Sequence, residues 1–304
     1  MDFTNWKCNA SSSGKLMTKV ATEFTEEQLS TYKDLHLKYT SGIKMTKTNT
    51  NKYLSLAKKI NGVPELSQTA KSLLDLKYKE CVFGRKSEIA SKYLKKGLDR
   101  EDEAISLYCD VTGDFVVKNE ERFYNSHFQG TPDIISNTIK DIKNSWTFKT
   151  FPLTSDVLPD KDYWWQMQLY MDLTGLKTKA QIIYCLLSQT VELMDDELSR
   201  LNYKHAIFGV DREIAVDNPS HIRLIRDLIQ EMIITEEDLI NYCNRSRFHI
   251  ELEWFDNFKE VNKNHRIRIF EVEYNEEAVN KAKQQVENAR EYLNNITIRL
   301  GSMI

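Results

Sequence analysis

Two aspartates and a lysine lie close together in the segment 130–145, GTPDIISNTIKDIKNS, which predicts two short strands joined by a turn at Asn137. That turn places Asp133 opposite Asp141, and opposed carboxylates destabilise a hairpin unless a cation compensates them. Side chains alternate along the second strand, so Asp141 and Lys143 share a face. Two acids and an ammonium suit a divalent cation and a hydrolytic water, although a surface hairpin with an ordinary ion pair fits the same residues.

Two further polar side chains are predicted to point inward from helices. Glu101 shares a helical face with the apolar residues three, four and seven positions later, and an inward carboxylate usually needs a partner such as a metal. Stabilisation of the first helical turn is the alternative, and Glu103 is a weaker candidate. Gln166 lies in a helix that is apolar on nearly all sides, so its amide would bind a water, a phosphate oxygen or the backbone.

The segment 9–16, NASSSGKL, offers hydroxyl groups and a cation near the amino terminus. Ser11, Ser12, Ser13 and Lys15 would suit a phosphate group ahead of a turn or helix. The segment is not a Walker A motif, because it begins with asparagine and ends with leucine, so ATP binding is not expected. A serine run that caps a helix is equally compatible with this pattern.

Composition narrows the class of protein. The chain has 304 residues, of which 41% are hydrophobic, and this suits one large domain or two smaller ones. It has no apolar run of membrane-spanning length and no secretory signal pattern, so we expect a cytoplasmic protein without a membrane partner. Five scattered cysteines and six scattered histidines form no ligand set, which argues against disulfides and zinc.

Charge is unevenly distributed, although the net charge is only -3. The stretch 33–59 contains seven lysines and a single acid, Asp34, and a second basic excess covers 71–100. Such a basic front half could contact phosphates, but solvated helix faces explain many lysines equally well.

The elements that must position these residues follow from periodicity and turn signals. Helices are expected at 26–39, 65–80 and 160–174, with a polar connector at 41–51 and a helical block at 84–109 interrupted near Gly97. Strands are expected at 115–117, 122–128, 132–135, 139–143, 180–187 and 267–273, and the rest of the chain to 297 as mostly helical. This order predicts an α/β fold, a small mixed sheet flanked by helices with the hairpin at its centre.

Taken in order, these residues resemble the PD-(D/E)XK nuclease superfamily, most closely the lambda-exonuclease or YqaJ-like viral recombination nucleases. The motifs that carry the resemblance are Gly97-x-x-x-Glu101, Pro132-Asp133 with Asp141-x-Lys143, Tyr163-x-x-Gln166-x-Gln168 and the Ala10-Ser11 loop. The resemblance covers about 5–190. Asp141 stands where glutamate is more common, and no proline follows Glu101, which leaves Glu101 and Glu103 both open.

The resemblance implies a single nuclease domain over 1–304, with a restriction-endonuclease-like core at about 84–190, a helical amino-terminal part at 1–83 and a helical elaboration at about 191–304. Glu101, Asp133, Asp141 and the carbonyl of Ile142 would hold one or two Mg²⁺ ions, for which Mn²⁺ could substitute. Lys143 would orient and help deprotonate the attacking water, with Gln166 supporting Lys143 or the water. Hydrolysis would leave 5′-phosphates.

The implied partners are double-stranded DNA ends, a single-strand annealing protein and further copies of the chain in a ring-type trimer, in the host cytoplasm if the protein is viral. An endonuclease or a CRISPR- or restriction-type nuclease on the same core is the alternative. A non-catalytic DNA-binding module is a further one, which the retained Asp133, Asp141 and Lys143 disfavour.

Overall fold

The computed structural model describes residues 1–18, 25–60, 66–86, 96–97, 99–209 and 219–301 as an α/β structure with two small sheets. Its helices are α1 (Ser13–Leu16), α2 (Glu26–Thr40), α3 (Lys47–Ile60), α4 (Gln68–Phe83), α5 (Glu101–Thr112), α6 (Lys161–Thr174), α7 (Val191–His205), α8 (Pro219–Met232), α9 (Glu236–Arg245) and α10 (Glu276–Gly301). Its strands are β1 (Cys8–Asn9), β2 (Phe123–Tyr124), β3 (Phe128–Gly130), β4 (Ile134–Ile135), β5 (Ile139–Asn144), β6 (Lys179–Cys185) and β7 (Ile267–Glu273).

The larger sheet contains the expected hairpin. Its strand order is β4-β5-β6-β7, in which β5 and β6 are parallel and the two outer pairs are antiparallel. Ile134 pairs with Lys140 and Ile135 with Ile139, so the predicted hairpin register is confirmed. The hairpin is not at the centre of the sheet, because β4 is an edge strand. The centre belongs to β5 and β6, both of whose faces are covered by helices.

Helices cover both faces of this sheet. Helix α6 packs on the face that carries Ile139 and Ile182, and α5 packs on the face that carries Ile142 and Ile183. Because side chains alternate along a strand, the residues of β5 that follow Ile139 at every second position project toward α6. Asp141 and Lys143 occupy those positions, so the fold places them under α6.

The smaller sheet has the order β1-β3-β2, with β1 parallel and β2 antiparallel to β3. It corrects the single strand expected at 122–128, because a turn separates β2 from β3. At that turn the Asn125 carboxamide oxygen accepts hydrogen bonds from the backbone N–H groups of His127 and Phe128. The parallel pairing of β1 with β3 brings the amino-terminal segment beside Gly130, next to the hairpin.

Two expectations about local structure are wrong. The polar connector expected at 41–51 overlaps α3, whose first turn is capped by Thr46: the Thr46 hydroxyl accepts from the N–H of Asn49. The apolar residues of α3 that pack inward, Tyr53 and Leu56, lie beyond that connector, so its polar start hid the helix. The strand expected at 115–117 is irregular, since Phe115 is 91% exposed and no strand pairs with it within the described ranges.

The helical block expected at 84–109 is covered only in part, because 87–95 and 98 lie outside the described residues. Helix α5 accounts for its later half. Lys96 is buried, and its ammonium donates to the carbonyl oxygens of Ser145 (2.5 Å) and Leu187 (2.8 Å). Lys96 thereby joins the segments that follow β5 and β6, and burial lowers its pKa to about 7.

The carboxyl-terminal helices α7, α8 and α9 share an apolar cluster separate from the two clusters on the sheet. Buried Asp195 of α7 accepts hydrogen bonds from the Tyr242 hydroxyl (3.0 Å), the Ser246 hydroxyl (2.7 Å) and the Arg247 backbone N–H (3.0 Å), which holds α7 to the end of α9. The strand expected at 267–273 is confirmed as β7. None of the helices within the described ranges combines the length and apolar character that a membrane span requires.

Candidate active site

The acids of the hairpin face each other at the point where β4 begins. Continuing the observed register places Asp133 opposite Asp141 and Pro132 opposite Ile142. The Asp133 carboxylate accepts the backbone N–H of Ile142 at 2.7 Å. The Ile142 carbonyl points to the same side of β5 as the Ile142 N–H, toward Pro132. Because proline has no N–H, Pro132 cannot donate a hydrogen bond to this carbonyl. The Pro132-Asp133 pair therefore leaves one main-chain oxygen available beside two carboxylates.

Lys143 lies against the acid pair. Its ammonium is 2.5 Å from the Oδ2 atom of Asp141 and 4.5 Å from the centre of the Tyr163 ring. The Asp141 side chain is 1% exposed and that of Lys143 is 20% exposed. Burial opposes the charge on Lys143, but the carboxylates of Asp141 and Asp133 outweigh it and raise the pKa of the ammonium. Lys143 is therefore held as a cation.

The expected repulsion between the two hairpin carboxylates is reflected in a raised pKa of Asp133. Burial and then the charge of Asp141 raise the pKa of Asp133 far above its ordinary value, with a smaller contribution from Glu101. Lys143 and the N–H of Ile142 oppose that shift without cancelling it. The site therefore favours a further cation or a shared proton on its carboxylates.

Gln166 is buried on α6 directly above Asp141. Its amide nitrogen donates to Asp141 Oδ1 at 3.1 Å and to the Tyr170 hydroxyl at 3.0 Å, and Tyr170 in turn donates to the carbonyl of Thr131 at 3.0 Å. The amide is thus bound by an acid of the hairpin rather than by backbone. The chain of hydrogen bonds fixes one carboxylate oxygen of Asp141 from the helix side.

Replacing Tyr170 with phenylalanine is expected to lower activity without unfolding the protein. The variant removes the acceptor for Gln166 and the donor to Thr131, each worth about 1 kcal/mol, so we expect a loss of about tenfold in turnover. Steady-state kinetics beside a thermal melt checks this result. The exposed tyrosine of α7, Tyr203, is the matched control as Tyr203→Phe. Equal kinetics for the Tyr170 variant and the wild type would contradict a positioning role.

Glu101 and Glu103 point to different partners. Glu101 lies 2.8 Å from the ammonium of Lys118 and contributes to the field at Asp133. Glu103 pairs with Arg100, whose guanidinium also donates to the carbonyl of Gln189, on the side of α7. Glu101 is therefore the glutamate that the structure brings toward the acid pair.

The amino-terminal segment lies on the same side of the molecule as the acid pair. One of its predicted phosphate-contacting residues, Ser13, is not accessible. Ser13 is buried and its hydroxyl donates to the carbonyl of Ala10 at 2.6 Å, because it closes the short turn before α1. It is not presented to a ligand. Ser11 and Lys15 are exposed, Ser12 is partly exposed, and the Ser12 side chain does not cap α1. Three of the four expected phosphate-contacting residues thus remain accessible.

A cavity of about 500 Å³ adjoins this segment. Ser11, Arg122, Lys86 and Tyr170 are among the residues that line it, and Tyr170 connects it to Gln166. Arg122 is exposed, with its guanidinium 3.4 Å from the side-chain oxygen of Asn9. Arg122 and Lys86, at an open cavity that Tyr170 and Gln166 connect to Asp141, suit an anionic ligand.

Gly14 fixes the position of the amino-terminal segment on α6. A Cβ atom on Gly14 would lie 2.5 Å from Cβ of Asp162, too close for rotation of the aspartate to relieve the contact. Gly14→Ala is therefore expected to cost about 1–3 kcal/mol of stability and to weaken ligand binding at the cavity. Gly97→Ala is the control, since a Cβ at Gly97 meets no atom within 4 Å. Thermal unfolding compares the two, and equal melting temperatures would contradict the close approach.

The donor set fits a hard divalent cation. Asp141 Oδ2 is buried against the Lys143 ammonium, and Asp133, Glu101 and the Ile142 carbonyl add only oxygen atoms. Within the described ranges, no three acidic, histidine or cysteine side chains converge as a preformed metal-ligand cluster. Glu101 is turned to Lys118, and Lys143 lies against Asp141, so two of the three acids are paired with ammonium groups.

The sequence did not reveal every residue of this constellation. The sequence predicted no role for Tyr170, yet its hydroxyl links the Gln166 amide to the carbonyl of Thr131. Lys118 and Arg122 carried no signal, because each is a single cation beside a short strand. The repeated spacing of four residues from Gln166 to Tyr170 was the available sign for Tyr170, since it places both on one helical face.

Comparison with known proteins supports the same fold. No family model and no curated protein sequence that was compared matches the chain. A solved structure of a phage-related exonuclease from Haemophilus somnus 129PT superposes with a TM-score of 0.61 at 22% identity, over 97% of each chain. An alkaline exonuclease from Laribacter hongkongensis gives a TM-score of 0.50 at 11% identity, over 99% of this chain and 96% of that one. The restriction-endonuclease-like α/β fold that the resemblance implied is therefore confirmed.

Proposed function

We propose that the protein is a Mg²⁺-dependent exonuclease that degrades linear double-stranded DNA and leaves 5′-phosphates. The observation that carries this proposal is the buried pair of Asp133 and Asp141 with Lys143 against it. A fold like that of two exonucleases supports the same reaction class. Mn²⁺ would substitute for Mg²⁺ because the proposed ligands are all oxygen atoms.

Asp133, Asp141 and the Ile142 carbonyl would hold the metal, with Glu101 as a further ligand. A bound Mg²⁺ would lower the pKa of a water molecule and neutralise charge on the phosphate. Lys143 would orient that water and stabilise its negative charge, from its place between Asp141 and Tyr163. Gln166 would hold Asp141 in position by its 3.1 Å hydrogen bond. In-line attack on phosphorus would expel the 3′-oxygen and leave the phosphate on the 5′ side.

The cavity beside the site would receive the end of the DNA. Ser11, Ser12 and Lys15 lie on the amino-terminal segment, and Arg122 and Lys86 line the cavity. Cationic side chains supply affinity for phosphates without reading the bases, so binding should weaken steeply as salt is raised. The biological setting that we propose is viral-type recombination, with a single-strand annealing protein as partner and a ring of identical subunits around DNA.

An endonuclease on the same core is the second candidate, because the carboxylates and Lys143 would cut an internal phosphodiester by the same chemistry. The fold shared with two solved exonuclease structures favours the exonuclease over this candidate. A non-catalytic DNA-binding module is the third candidate. It is disfavoured because a buried acid pair costs stability that a binding module would have no reason to bear.

Digestion of a duplex labelled at one end tests the proposal. With Mg²⁺ present, we expect short products released progressively from the ends, each carrying a 5′-phosphate, and a dependence on whether the substrate end is phosphorylated. Internal fragments of discrete length at early times would instead favour the endonuclease. Binding of the duplex without any product would favour the non-catalytic module.

A further inference from the structure

Lys118 is a cation held beside the acid pair by its own backbone. The residue forms an isolated antiparallel bridge with Ile134, the first residue of β4. The next residue, Asn119, donates its N–H to the carbonyl of Asp133 at 2.7 Å and its side-chain amide to the carbonyl of Pro132 at 2.9 Å. Lys118 is therefore anchored to the edge of the hairpin that supplies Asp133.

The ammonium of Lys118 is directed at acids of α5. It lies 2.8 Å from Glu101 Oε2 and 3.8 Å from Asp102 Oδ1. Glu101 is the more buried partner, with its side chain 18% exposed against 91% for Asp102. The hydrogen bond from Lys118 to Glu101 raises the pKa of Lys118. The negative charges of Glu101, Asp102 and Asp133 raise it further. Lys118 thus neutralises the acid that α5 contributes to the proposed metal site.

A divalent cation and an ammonium that bind the same carboxylate compete for its negative charge, and the two cations repel each other. We propose that Lys118 is an internal counter-ion that competes with the divalent cation for Glu101 and thereby lowers the affinity of the site for metal. This inference rests on the proposed function, because it needs a metal at the acid pair. It assigns to Lys118 a role that neither the sequence nor the resemblance indicated.

Lys143 also pairs with a proposed metal ligand, Asp141, but in a more buried setting. Its ammonium is fixed between Asp141 and Tyr163 within a buried setting, and its side chain is 20% exposed. The Lys118 side chain is 39% exposed, about twice the exposed fraction of Lys143. Release of Lys118 therefore costs little, since exposed ion pairs contribute about 1 kcal/mol or less. Glu101 is therefore the proposed ligand whose availability to the metal depends on the position of Lys118.

Calorimetric titration of the full-length protein with Mn²⁺, in the absence of DNA, tests the competition. Lys118→Met is expected to bind Mn²⁺ about 3- to 10-fold more tightly than the wild type, with a difference that shrinks as salt is raised. Lys179→Met is the matched control and should bind like the wild type. Lys179 is also a half-exposed lysine in a 2.9 Å ion pair, with Glu271 at the far side of the sheet.

A double-variant cycle identifies Glu101 as the shared ligand. In a Glu101→Gln background, Lys118→Met should change the Mn²⁺ affinity by less than in the wild type. Affinity unchanged or weakened by Lys118→Met would overturn the inference, and Lys118→Gln guards against a packing defect in the Met variant.

Mn²⁺ binding by Asp141→Asn separates a failure of the competition at Glu101 from a failure of the metal site itself. If Asp141→Asn abolishes Mn²⁺ binding while Lys118→Met binds like the wild type, the metal site stands and only the competition fails. If Mn²⁺ does not bind the wild type, or binds Asp141→Asn equally well, the metal site and the competition both fail.

Discussion

Replacing Lys143 with alanine is expected to abolish DNA cleavage while DNA binding persists. The ammonium is the only positive group described in contact with Asp141, so its loss removes the proposed orienting group for the attacking water. A positioned proton-transfer group is worth about 10²–10⁴ in rate, and we expect a loss of at least about 10³-fold. Gel-shift binding and single-turnover cleavage on the same duplex measure the two properties separately.

Stability must be separated from chemistry in that experiment. Removing Lys143 leaves Asp141 buried without its cation, and breaking a buried pair costs about 3–5 kcal/mol. Lys143→Arg keeps a cation in place but has a different shape. We expect the arginine variant to melt close to the wild type and still to lose at least about 10²-fold in cleavage. Wild-type activity in either variant would show that Lys143 is not the orienting group.

Asp141→Asn is expected to remove both metal binding and cleavage. The substitution removes the charge from a side chain that is 1% exposed and contacts both Lys143 and Gln166. Losing a charged ligand should weaken Mg²⁺ binding by about 10²-fold or more and cleavage by about 10³-fold or more. Metal titration and cleavage assays over a range of Mg²⁺ concentrations measure these losses, and a rescue of full activity at high Mg²⁺ would argue against a catalytic ligand.

Asp172→Asn provides the matched control. Asp172 is also a buried aspartate, with its side chain 4% exposed, and it contacts Lys177 at 3.3 Å and Lys283 at 3.5 Å. It lies on α6, near the end of the helix that carries Gln166. The control should lose stability to a similar degree and keep its cleavage rate. A parallel loss of cleavage would mean that charge removal anywhere near α6 disables the protein.

The hairpin was predictable from sequence because its register depends on short-range geometry. The alternation of Asp141, Ile142 and Lys143 and the turn at Asn137 are sufficient to oppose Asp133 and Asp141. The contact between Gln166 and Asp141 could be predicted from the sequence only in part. Its burial was readable from the apolar helix, but which acid its amide would contact depended on how α6 crosses the sheet.

Other features could not be predicted from sequence because they depend on distant packing. Ser13 belongs to a run of three serines of equal propensity, and only the turn before α1 directs its hydroxyl inward. The edge position of the hairpin depends on where β6 and β7 join the sheet, far along the chain. Lys118 follows an apolar segment that resembled a strand, and its backbone bridge to Ile134 is a contact between segments.

A metal-dependent exonuclease site at the hairpin is tested by comparing linear duplex with covalently closed circular DNA, with Mg²⁺ and with a chelator, for the wild type and Asp141→Asn. We expect the wild type to degrade linear duplex only with Mg²⁺ and to spare the closed circle, and we expect Asp141→Asn to degrade neither. Cutting of the closed circle would contradict an exonuclease. Degradation of linear duplex by Asp141→Asn, or by the wild type in chelator, would contradict a metal-dependent site at the hairpin.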